Sequence, residues 1–572
     1  MKIIGIHNTG VTSSCALVEN GKLSFAVAEE RITRSKYDKY FPISSIKKCL
    51  KYSKLDFKDI DIFAVGWNPA KNIALRTRPG FSEWVSYPGY RFSSNPNNLL
   101  PNLNREIKEY EHTLQEFNFK KNKKLKIVYV NHHTAHLAHA FFLSGFNKSD
   151  LLSIDGYGEA SSFVWGRGNA KKIVVDKEQE YPHSIGEFFS TITSFLGYTA
   201  YKDEWKVMGM SAYGKYKKYY SKIKKLIKLD KKNIFLNDLN YFNYFNFDSK
   251  YRFSNSLIEL LGEPREKNDK IIQKHFDIAS AAQKVLEELV LNLIIKLSKK
   301  SKNNNLCLSG GVMMNSVLNQ KIHDLKLYKN IYIPYSPDDQ GNSIGAALWA
   351  SNMYDKKNKF SSKQLKIPYT GREFSNFEIE RQLKIFKVKY NKVSNIAKIG
   401  ARFISEGKII GWFQGKEEFG QRALGNRSIL ADPRKSSMKD KINLAVKFRE
   451  SFRPFAPAII DEYKKDYFVN GEKINSNYME RTEKFIKKVA NKVPSVVHKD
   501  LTGRLQTVKK KDNKIFYDLI DEFRKITTIP IILNTSFNLN NEPIVGEPKD
   551  ALRTFFTSGL DVLIIGNFVI KK

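Results

Sequence analysis

Two imidazoles stand four residues apart in Val130-Asn131-His132-His133-Thr134-Ala135-His136. On a helix that spacing puts His132 and His136 on one face, where both can grip a single metal ion. The same spacing also serves ordinary half-buried helices, so the surrounding residues decide. Leu151-Leu152-Ser153-Ile154 reads as a short buried strand that delivers Asp155, the first residue of Asp155-Gly156-Tyr157-Gly158-Glu159. A carboxylate at a strand end, facing two histidines at a helix start, makes a mixed nitrogen and oxygen site for a divalent transition metal. A second acidic pair, Asp338-Asp339, meets the turn Gln340-Gly341 at the start of a small-residue helix through Ala346-Ala347-Leu348.

A different chemistry is written further on. The apolar run Ile409-Ile410-Gly411-Trp412-Phe413 leads into Glu418-Phe419-Gly420-Gln421-Arg422-Ala423-Leu424-Gly425-Asn426-Arg427-Ser428. Guanidinium forks bind planar anions in bidentate fashion, and the intervening glycines allow close approach, so Arg422 and Arg427 suit a phosphate, a carboxylate or carbamoyl phosphate. Lys447, Arg449, Arg453 and Arg504 extend this positive set.

The elements that must position these groups follow from the hydrophobic pattern. Lys126-Ile127-Val128-Tyr129-Val130 reads as a strand running straight into the histidines. The first 30 residues read as strand, Gly10 turn, strand (Cys15 to Val18), Asn20-Gly21 hairpin and strand (Leu23 to Ala28). With Thr12, Ser13 and Ser14 at the first turn, this is how actin-like phosphate-binding domains open. A second such turn, Ser309-Gly310-Gly311, ends an apolar strand just before a helix and exposes backbone N–H groups to phosphate or adenosine. An ordinary tight turn has the same pattern. Residues 215 to 252 are rich in Lys, Tyr, Asn and Phe with little periodicity and read as an insertion or lid; 353 to 363 read as an interdomain linker. No internal repeat is visible in the residues.

Bulk properties bound the class. A chain of 572 residues with 41% hydrophobic content supports two or three domains with proper cores. Its net charge of +37 would ordinarily point to an anionic partner, but the lysines are scattered, as on a solvated basic surface. Three widely spaced cysteines, Cys15, Cys49 and Cys307, form neither a disulfide framework nor a zinc site, and a reducing cytoplasm is the natural setting. The N-terminus lacks a signal-peptide apolar region, and no window approaches the roughly 18 apolar residues of a membrane span.

Taken in order, His132-His133-Thr134-Ala135-His136, Asp155-Gly156-Tyr157-Gly158-Glu159, Lys206-Val207-Met208-Gly209-Met210, Ser309-Gly310-Gly311, Glu418 to Leu430, Arg453-Pro454-Phe455-Ala456-Pro457 and Asn534-Thr535-Ser536-Phe537-Asn538 resemble the O-carbamoyltransferases of the nodulation-factor and antibiotic-biosynthesis type. The resemblance covers essentially the whole chain. It implies an α/β protein in which an N-terminal actin-like (ASKHA) duplicated α/β domain, residues 1–355, precedes a linker at 356–370. An α+β adenylate-forming domain follows at 371–572, similar to those that make threonylcarbamoyl-adenylate.

Carried over residue by residue, it implies that His132, His136, Asp155 and Asp339 hold a divalent metal, iron by expectation, and that Gly310, Gly311 and Asn315 line a nucleotide pocket. Arg422, Arg427, Lys447, Arg453, Arg504 and Asn534 would hold carbamoyl phosphate and the adenylate, with Mg accompanying ATP. His132, His136, Asp155, Arg422 and Lys447 are the expected catalytic set. This chain departs from the family in one loop: where His-Asp usually precedes the small residues of the first turn, it has Val11-Thr12, and Lys36-Tyr37 replaces a Lys-His pair.

The expected reaction combines ATP and carbamoyl phosphate into carbamoyl-adenylate, then moves the carbamoyl group to a hydroxyl of a sugar-type, glycan or natural-product acceptor. Two alternatives stand beside it. One keeps the chemistry but uses a nucleic-acid acceptor, a hydroxymethylated DNA base or tRNA, which the net charge favours and the scattered lysines disfavour. The other is an actin-like ATP-dependent binding module that moves no carbamoyl group; the arginine-glycine cluster argues against it, because such a switch has no need of a second anion pocket. A homodimer is the assembly considered.

Overall fold

The computed structural model describes residues 1–8, 11–71, 125–170, 172–245, 249, 251–355, 367–449, 453 and 455–572. The Gly10 turn and residues 356–366 of the expected linker lie outside the described residues. The chain divides into two compact units, Met1–Phe25 with Lys39–Leu365, and Ala26–Asp38 with Lys366–Lys572.

The first unit is built on two five-stranded sheets. One has the order β3-β2-β1-β4-β5, from β1 (Lys2–His7), β2 (Ser14–Glu19), β3 (Lys22–Ala28), β4 (Ile62–Val65) and β5 (Lys126–Tyr129). The other has the order β8-β7-β6-β11-β12, from β6 (Lys148–Gly158), β7 (Ser161–Asn169), β8 (Lys172–Glu180), β11 (Asn305–Ser309) and β12 (Asn330–Tyr332). A short hairpin of β9 (Ile227–Leu229) and β10 (Phe235–Asn237) lies between β8 and β11 in sequence.

The two sheets repeat one plan. β1 pairs antiparallel with β2 and parallel with β4, which pairs parallel with β5; β6 pairs antiparallel with β7 and parallel with β11, which pairs parallel with β12. Helix α1 (His132–Ser144) follows β5, and helix α4 (Asn342–Tyr354) follows β12 at the equivalent place. Within the second half, between β8 and β11 in sequence, come α2 (Ile185–Phe195) and α3 (Gln273–Ser298). The duplicated α/β organisation is therefore present, carried by strand order rather than by repeated residues.

Central strands buried on both faces need continuous apolar sequence, and Ile3, Ile4 and Ile6 of β1 and Leu151, Leu152 and Ile154 of β6 are fully buried. Helix α1 is buried almost all round and is closed by Gly145 in the left-handed conformation that a glycine accepts without strain. Two other glycines set how closely the site-bearing elements approach. A Cβ on Gly345 would meet the Ala135 carbonyl at 1.9 Å, and one on Gly5 would meet the Ser343 carbonyl at 2.0 Å, so α4 lies directly on α1 and β1. The described residues of 215–252 carry more regular structure than their composition suggests. They contain a helix at Lys217–Lys225 and the β9–β10 hairpin, and bury Ile223, Leu226, Phe235, Phe242 and Phe245.

The second unit holds an eight-stranded mixed sheet of order β13-β22-β21-β14-β15-β20-β16-β19. Its members are β13 (Asn391–Lys392), β14 (Ile410–Phe413), β15 (Arg427–Ala431), β16 (Ala456–Ile460), β19 (Gln506–Val508), β20 (Ile531–Ser536), β21 (Val562–Ile565) and β22 (Phe568–Lys571). A separate pair, β17 (Thr482–Lys484) and β18 (Thr502–Arg504), stands beside it. Helices α5 (Ile396–Ser405), α6 (Lys514–Thr527) and α7 (Pro548–Phe556) turn apolar faces to a core that includes Trp412, Phe516 and Leu519. Trp412 is fully buried, its indole N–H donating to the Gly425 carbonyl at 3.0 Å. Among the described residues, no helix is long and apolar enough to cross a membrane.

Candidate functional site

In the first unit the two halves of the duplicated fold each deliver ligands to one point. The first turn of α1 presents His132 and His136, whose Nε2 atoms converge to 3.1 Å. Asp155 lies in a bulge, where the β6–β7 register shifts between Ile154 and Gly158. Such a bulge re-aims a side chain at a sheet end. Its Oδ1 accepts the Gly156 N–H at 2.8 Å, leaving Oδ2 3.0 Å from His136 Nε2 and 3.5 Å from His132 Nε2. Asp339, just before α4, sets Oδ1 3.5 Å from His136 Nε2 and 3.6 Å from His132 Nε2. One donor atom from each of the four residues lies within 4.8 Å of all the others.

The surroundings hold this geometry. His136 Nδ1 is 3.4 Å from Ser309 Oγ. His132 Nδ1 faces the Asn342 amide at 3.2 Å, and Asn342 Oδ1 has no other partner, so the amide satisfies the pair when it turns its oxygen to the imidazole N–H. The His132 backbone N–H donates to Glu159 Oε1 at 2.9 Å, and burial raises the Glu159 carboxyl to about 7. Gly158 is required here, because a Cβ would stand 2.1 Å from the His132 ring. His133 turns away, pairing with Ser153 Oγ at 2.8 Å and the Ser161 carbonyl at 3.0 Å; burial lowers it to about 3.

The electrostatics are those of a cation site. Burial alone would lower His136, but the facing carboxylates of Asp155 and Asp339 outweigh it and raise the ring to about 9. Burial would likewise raise both carboxyls, yet the histidines hold Asp155 and Asp339 below the usual carboxylate range. Two imidazoles and two ionised carboxylates converging in a buried place match the mixed donor set of a transition metal such as iron.

The glycine turn adjoins this centre. Gly310 has φ +93°, and a Cβ there would strike the Ile154 carbonyl at 2.2 Å; a Cβ on Gly311 would stand 2.9 Å from Asp155 Oδ1. Asn315 caps the next helix by accepting the Leu318 N–H at 3.0 Å, and its amide donates to Gln283 of α3 at 2.8 Å. Its side chain is thus committed to holding the turn against α3.

In the second unit Lys447 ends a π-helical turn, Asn443–Lys447, a rare local geometry concentrated at functional sites. Its Nζ donates to the Ser536 carbonyl at 2.5 Å and to Asn538 Oδ1 at 2.8 Å. Burial and the neighbouring cations Arg449, Arg453 and Lys36 push Lys447 well below the ordinary lysine range, and burial with Arg453 lowers Arg504 to about 10. The structure thus gathers Lys447, Arg453 and Arg504 with Arg449 and Lys36. Asn534 is buried on β20, its amide donating to Gln506 Oε1 at 2.8 Å.

The two arginines of the glycine-rich motif differ. Arg422 donates to the carbonyls of Tyr478 and Met479. Arg427 is fully buried, donates to the carbonyls of Gln414, Gly415, Asn426 and Arg372, and lies 3.7 Å over the Phe413 ring. It forms part of an internal network in which Glu417 receives Arg372 at 2.9 Å and Arg31 at 3.4 Å.

Sequence reasoning gave no role to two residues that the structure brings to these places. Lys36, on the segment Ala26–Asp38, packs with the second unit despite its early position. His7 ends β1 and sets its Nε2 3.6 Å from Asp339 Oδ2. An imidazole at the end of an apolar strand was the available signal, the same one that picked out Asp155.

Comparison with known proteins places the chain in a family. Residues 2–348 match the family described as Carbamoyltransferase N-terminus, and residues 401–572 match Carbamoyltransferase C-terminus. The chain is 34% identical over 616 aligned residues to the uncharacterized protein sll1178 of Synechocystis, covering 100% of this chain and 96% of that one. It is 33% identical to the nodulation protein NolNO of Sinorhizobium fredii, covering 100% and 80%, and 34% identical to NolO of Bradyrhizobium diazoefficiens, covering 77% and 79%. With matches that span most of its length, the chain belongs to the carbamoyltransferase family.

Proposed function

We propose that this carbamoyltransferase uses ATP and carbamoyl phosphate to make carbamoyl-adenylate in its C-terminal part, residues 371–572, and carbamoylates an acceptor hydroxyl in its N-terminal part, residues 1–355. The observation that carries the reading is the cation group around buried Lys447 and Arg453, in which Arg449, Arg453 and Lys36 lower Lys447 and Arg453 lowers Arg504, with no carboxylate among the described residues acting on either. A cluster of cations that lower one another's protonation favours a bound anion, and phosphoryl chemistry supplies one. A nucleotide switch without carbamoyl transfer would not need this second anion pocket.

Within that group Lys447, Arg453 and Arg504 bind the phosphates of carbamoyl phosphate and the adenylate, with Asn534 and Arg422 completing the pocket and Mg accompanying ATP. Arg427 is assigned instead to the scaffold, because its guanidinium is spent on backbone carbonyls. The turn at Gly310 and Gly311, fixed by Asn315, is assigned to nucleotide in the N-terminal part.

His132, His136, Asp155 and Asp339 would hold the metal, for which iron fits the donor set. When bound, a metal there supplies Lewis acidity to a carbonyl or hydroxyl oxygen. The four side chains fix the ion's position, and Ser309, Asn342 and Gly158 fix theirs. In the transfer itself the acceptor oxygen bonds the carbamoyl carbon, the bond from that carbon to the AMP oxygen breaks, AMP leaves as the anion, and the hydroxyl proton is released. The acceptor assigned is a small-molecule or glycan hydroxyl, since the lysines are spread over both units rather than gathered on one element.

The test is incubation with ATP, carbamoyl phosphate and pooled hydroxyl acceptors, followed by mass spectrometry for the carbamoyl adduct and by measurement of diphosphate release. Diphosphate release that depends on carbamoyl phosphate, with an adduct on a sugar-type hydroxyl, is expected. ATP turnover indifferent to carbamoyl phosphate, with no adduct, would overturn the reading.

A further inference from the structure

The duplicated fold brings two equivalent strand ends to the metal centre, the end of β6 with Asp155 and the end of β1 with His7. His7 is fully buried, and among the described residues its Nε2 has no partner within hydrogen-bond distance, Asp339 Oδ2 standing just beyond it at 3.6 Å. A buried imidazole nitrogen left unpaired is costly and calls for an explanation.

The ring's other nitrogen supplies one. His7 Nδ1 faces the Gly66 carbonyl at 3.4 Å. A carbonyl can only accept, so the neutral tautomer that satisfies it carries its proton on Nδ1, and that tautomer turns the Nε2 lone pair toward Asp339 Oδ2, 3.6 Å away. A lone pair facing a carboxylate oxygen across a buried gap is repulsive unless a cation stands between them. His132 and His136 show the same arrangement, with Nε2 inward and Nδ1 held by Asn342 and by Ser309. A ring whose outward N–H is tied to a carbonyl or polar partner is the usual state of a metal-bound histidine.

The distance to Asp339 agrees. Donors at roughly 2.0 to 2.2 Å from one ion stand roughly 3 to 3.6 Å apart when adjacent. The 3.6 Å from His7 Nε2 to Asp339 Oδ2 matches the 3.5 and 3.6 Å from His136 and His132 Nε2 to Asp339 Oδ1. His7 stands outside the four donors that lie within 4.8 Å of one another and meets them through Asp339, so its membership asks Asp339 to present both oxygens and the His7 ring to draw inward when the ion binds. Its ring also packs against His132, the centroids 5.6 Å apart.

We propose that His7 is a fifth ligand of the centre, giving it three imidazoles and two carboxylates. The inference rests on the metal reading of His132, His136, Asp155 and Asp339.

The experiment uses the full chain, freed of metal and titrated with cobalt(II), with binding and the visible d–d spectrum as readouts. His7→Phe keeps a ring and removes both nitrogens; His7→Ala opens a space that free imidazole can refill; His132→Ala is the control. Wild type is expected to bind one cobalt per chain with the weak absorption of five or six ligands. Both His7 variants should bind at least about tenfold more weakly. They should also absorb more strongly, as coordination number falls, and imidazole should restore the wild-type spectrum of His7→Ala. Should His7→Phe fail to fold by circular dichroism, the imidazole rescue still decides. Wild-type affinity and spectrum in both His7 variants, with binding lost in His132→Ala, would overturn the role of His7 alone. Unchanged binding in His132→Ala as well would overturn the metal centre itself. Two cobalt ions per chain, with only one lost in the His7 variants, would place His7 on a separate ion and overturn the single-centre assignment.

Discussion

His136 Nε2 lies 3.0 Å from Asp155 Oδ2, and the two residues come from opposite halves of the duplicated fold, one from α1 after the first sheet and one from the central strand of the second. Neither half alone can assemble this group of four. On the proposed reading, transfer would depend on the whole first unit and adenylate formation on residues of the second.

The first prediction separates the two partial reactions. His132→Ala or His136→Ala should abolish carbamoyl transfer to the acceptor and leave carbamoyl-phosphate-dependent diphosphate release largely intact. Equal loss of both would show that the division of labour is wrong.

A proton is coupled to metal binding. In the metal-free protein His136 is raised to about 9, against the burial that would lower it, by Asp155 and Asp339. The folded value exceeds the unfolded one of about 6.5, so the stabilisation is fully present below that pH and is lost as pH rises through about 9. Metal requires the neutral ring, so binding at neutral pH should expel the His136 proton, and affinity should climb with pH until about 9. Calorimetry in buffers of different ionisation enthalpy measures that proton; a binding enthalpy independent of the buffer would refute it.

Much of this centre is readable in the chain, and the unreadable parts have physical reasons. His132 and His136 declare themselves by helical spacing, and Asp155 by its place after an apolar strand. Of the pair Asp338-Asp339 only geometry says which residue faces the centre: Asp338 accepts from Ser336 Oγ at 2.6 Å, while Asp339 turns to the histidines. The fold's duplication resides in strand order and leaves no trace in the residues of β1 and β6. In 215–252, Ile223, Leu226 and the aromatics that form a small core are diluted by lysines that hide the period. Arg422 and Arg427 share one motif, yet Arg427 is consumed by carbonyls that only the folded chain brings around it.

That contrast yields the third prediction. Lys447→Ala and Arg422→Ala should raise the carbamoyl phosphate requirement, since removing one charged ligand of a buried anion costs roughly 2 to 5 kcal/mol, or about 30-fold to several thousand-fold. Preformed carbamoyl-adenylate should rescue transfer. A variant that folds normally and stays inactive with adenylate supplied would remove that residue from the anion pocket.

Arg427→Ala should fail differently. Its loss strands buried carbonyls of Gln414, Gly415, Asn426 and Arg372, so the variant should be less stable by about 3 to 5 kcal/mol. Chemical denaturation followed at the second unit reads this directly. Normal stability combined with a raised carbamoyl phosphate requirement would return Arg427 to the ligand set.

The last prediction concerns the acceptor. A net charge of +37 could serve a nucleic-acid track, and such a track has a measurable signature, because each neutralised phosphate releases counterions and gives a log–log slope against salt of about −0.9 per contact on duplex DNA. Here many cations are already engaged: Lys222 and Lys224 of the helix at Lys217–Lys225 donate to the Leu260 carbonyl and to Tyr220 Oη, and Arg167 pairs with Asp176. Binding to duplex DNA or tRNA should therefore be weak, with a shallow salt dependence by fluorescence anisotropy, and the carbamoyl adduct should appear on sugar-type hydroxyls and not on hydroxymethylated DNA or tRNA. Tight, steeply salt-dependent binding together with a carbamoylated nucleic-acid product would reassign the acceptor, and would leave the metal centre and the adenylate chemistry in place.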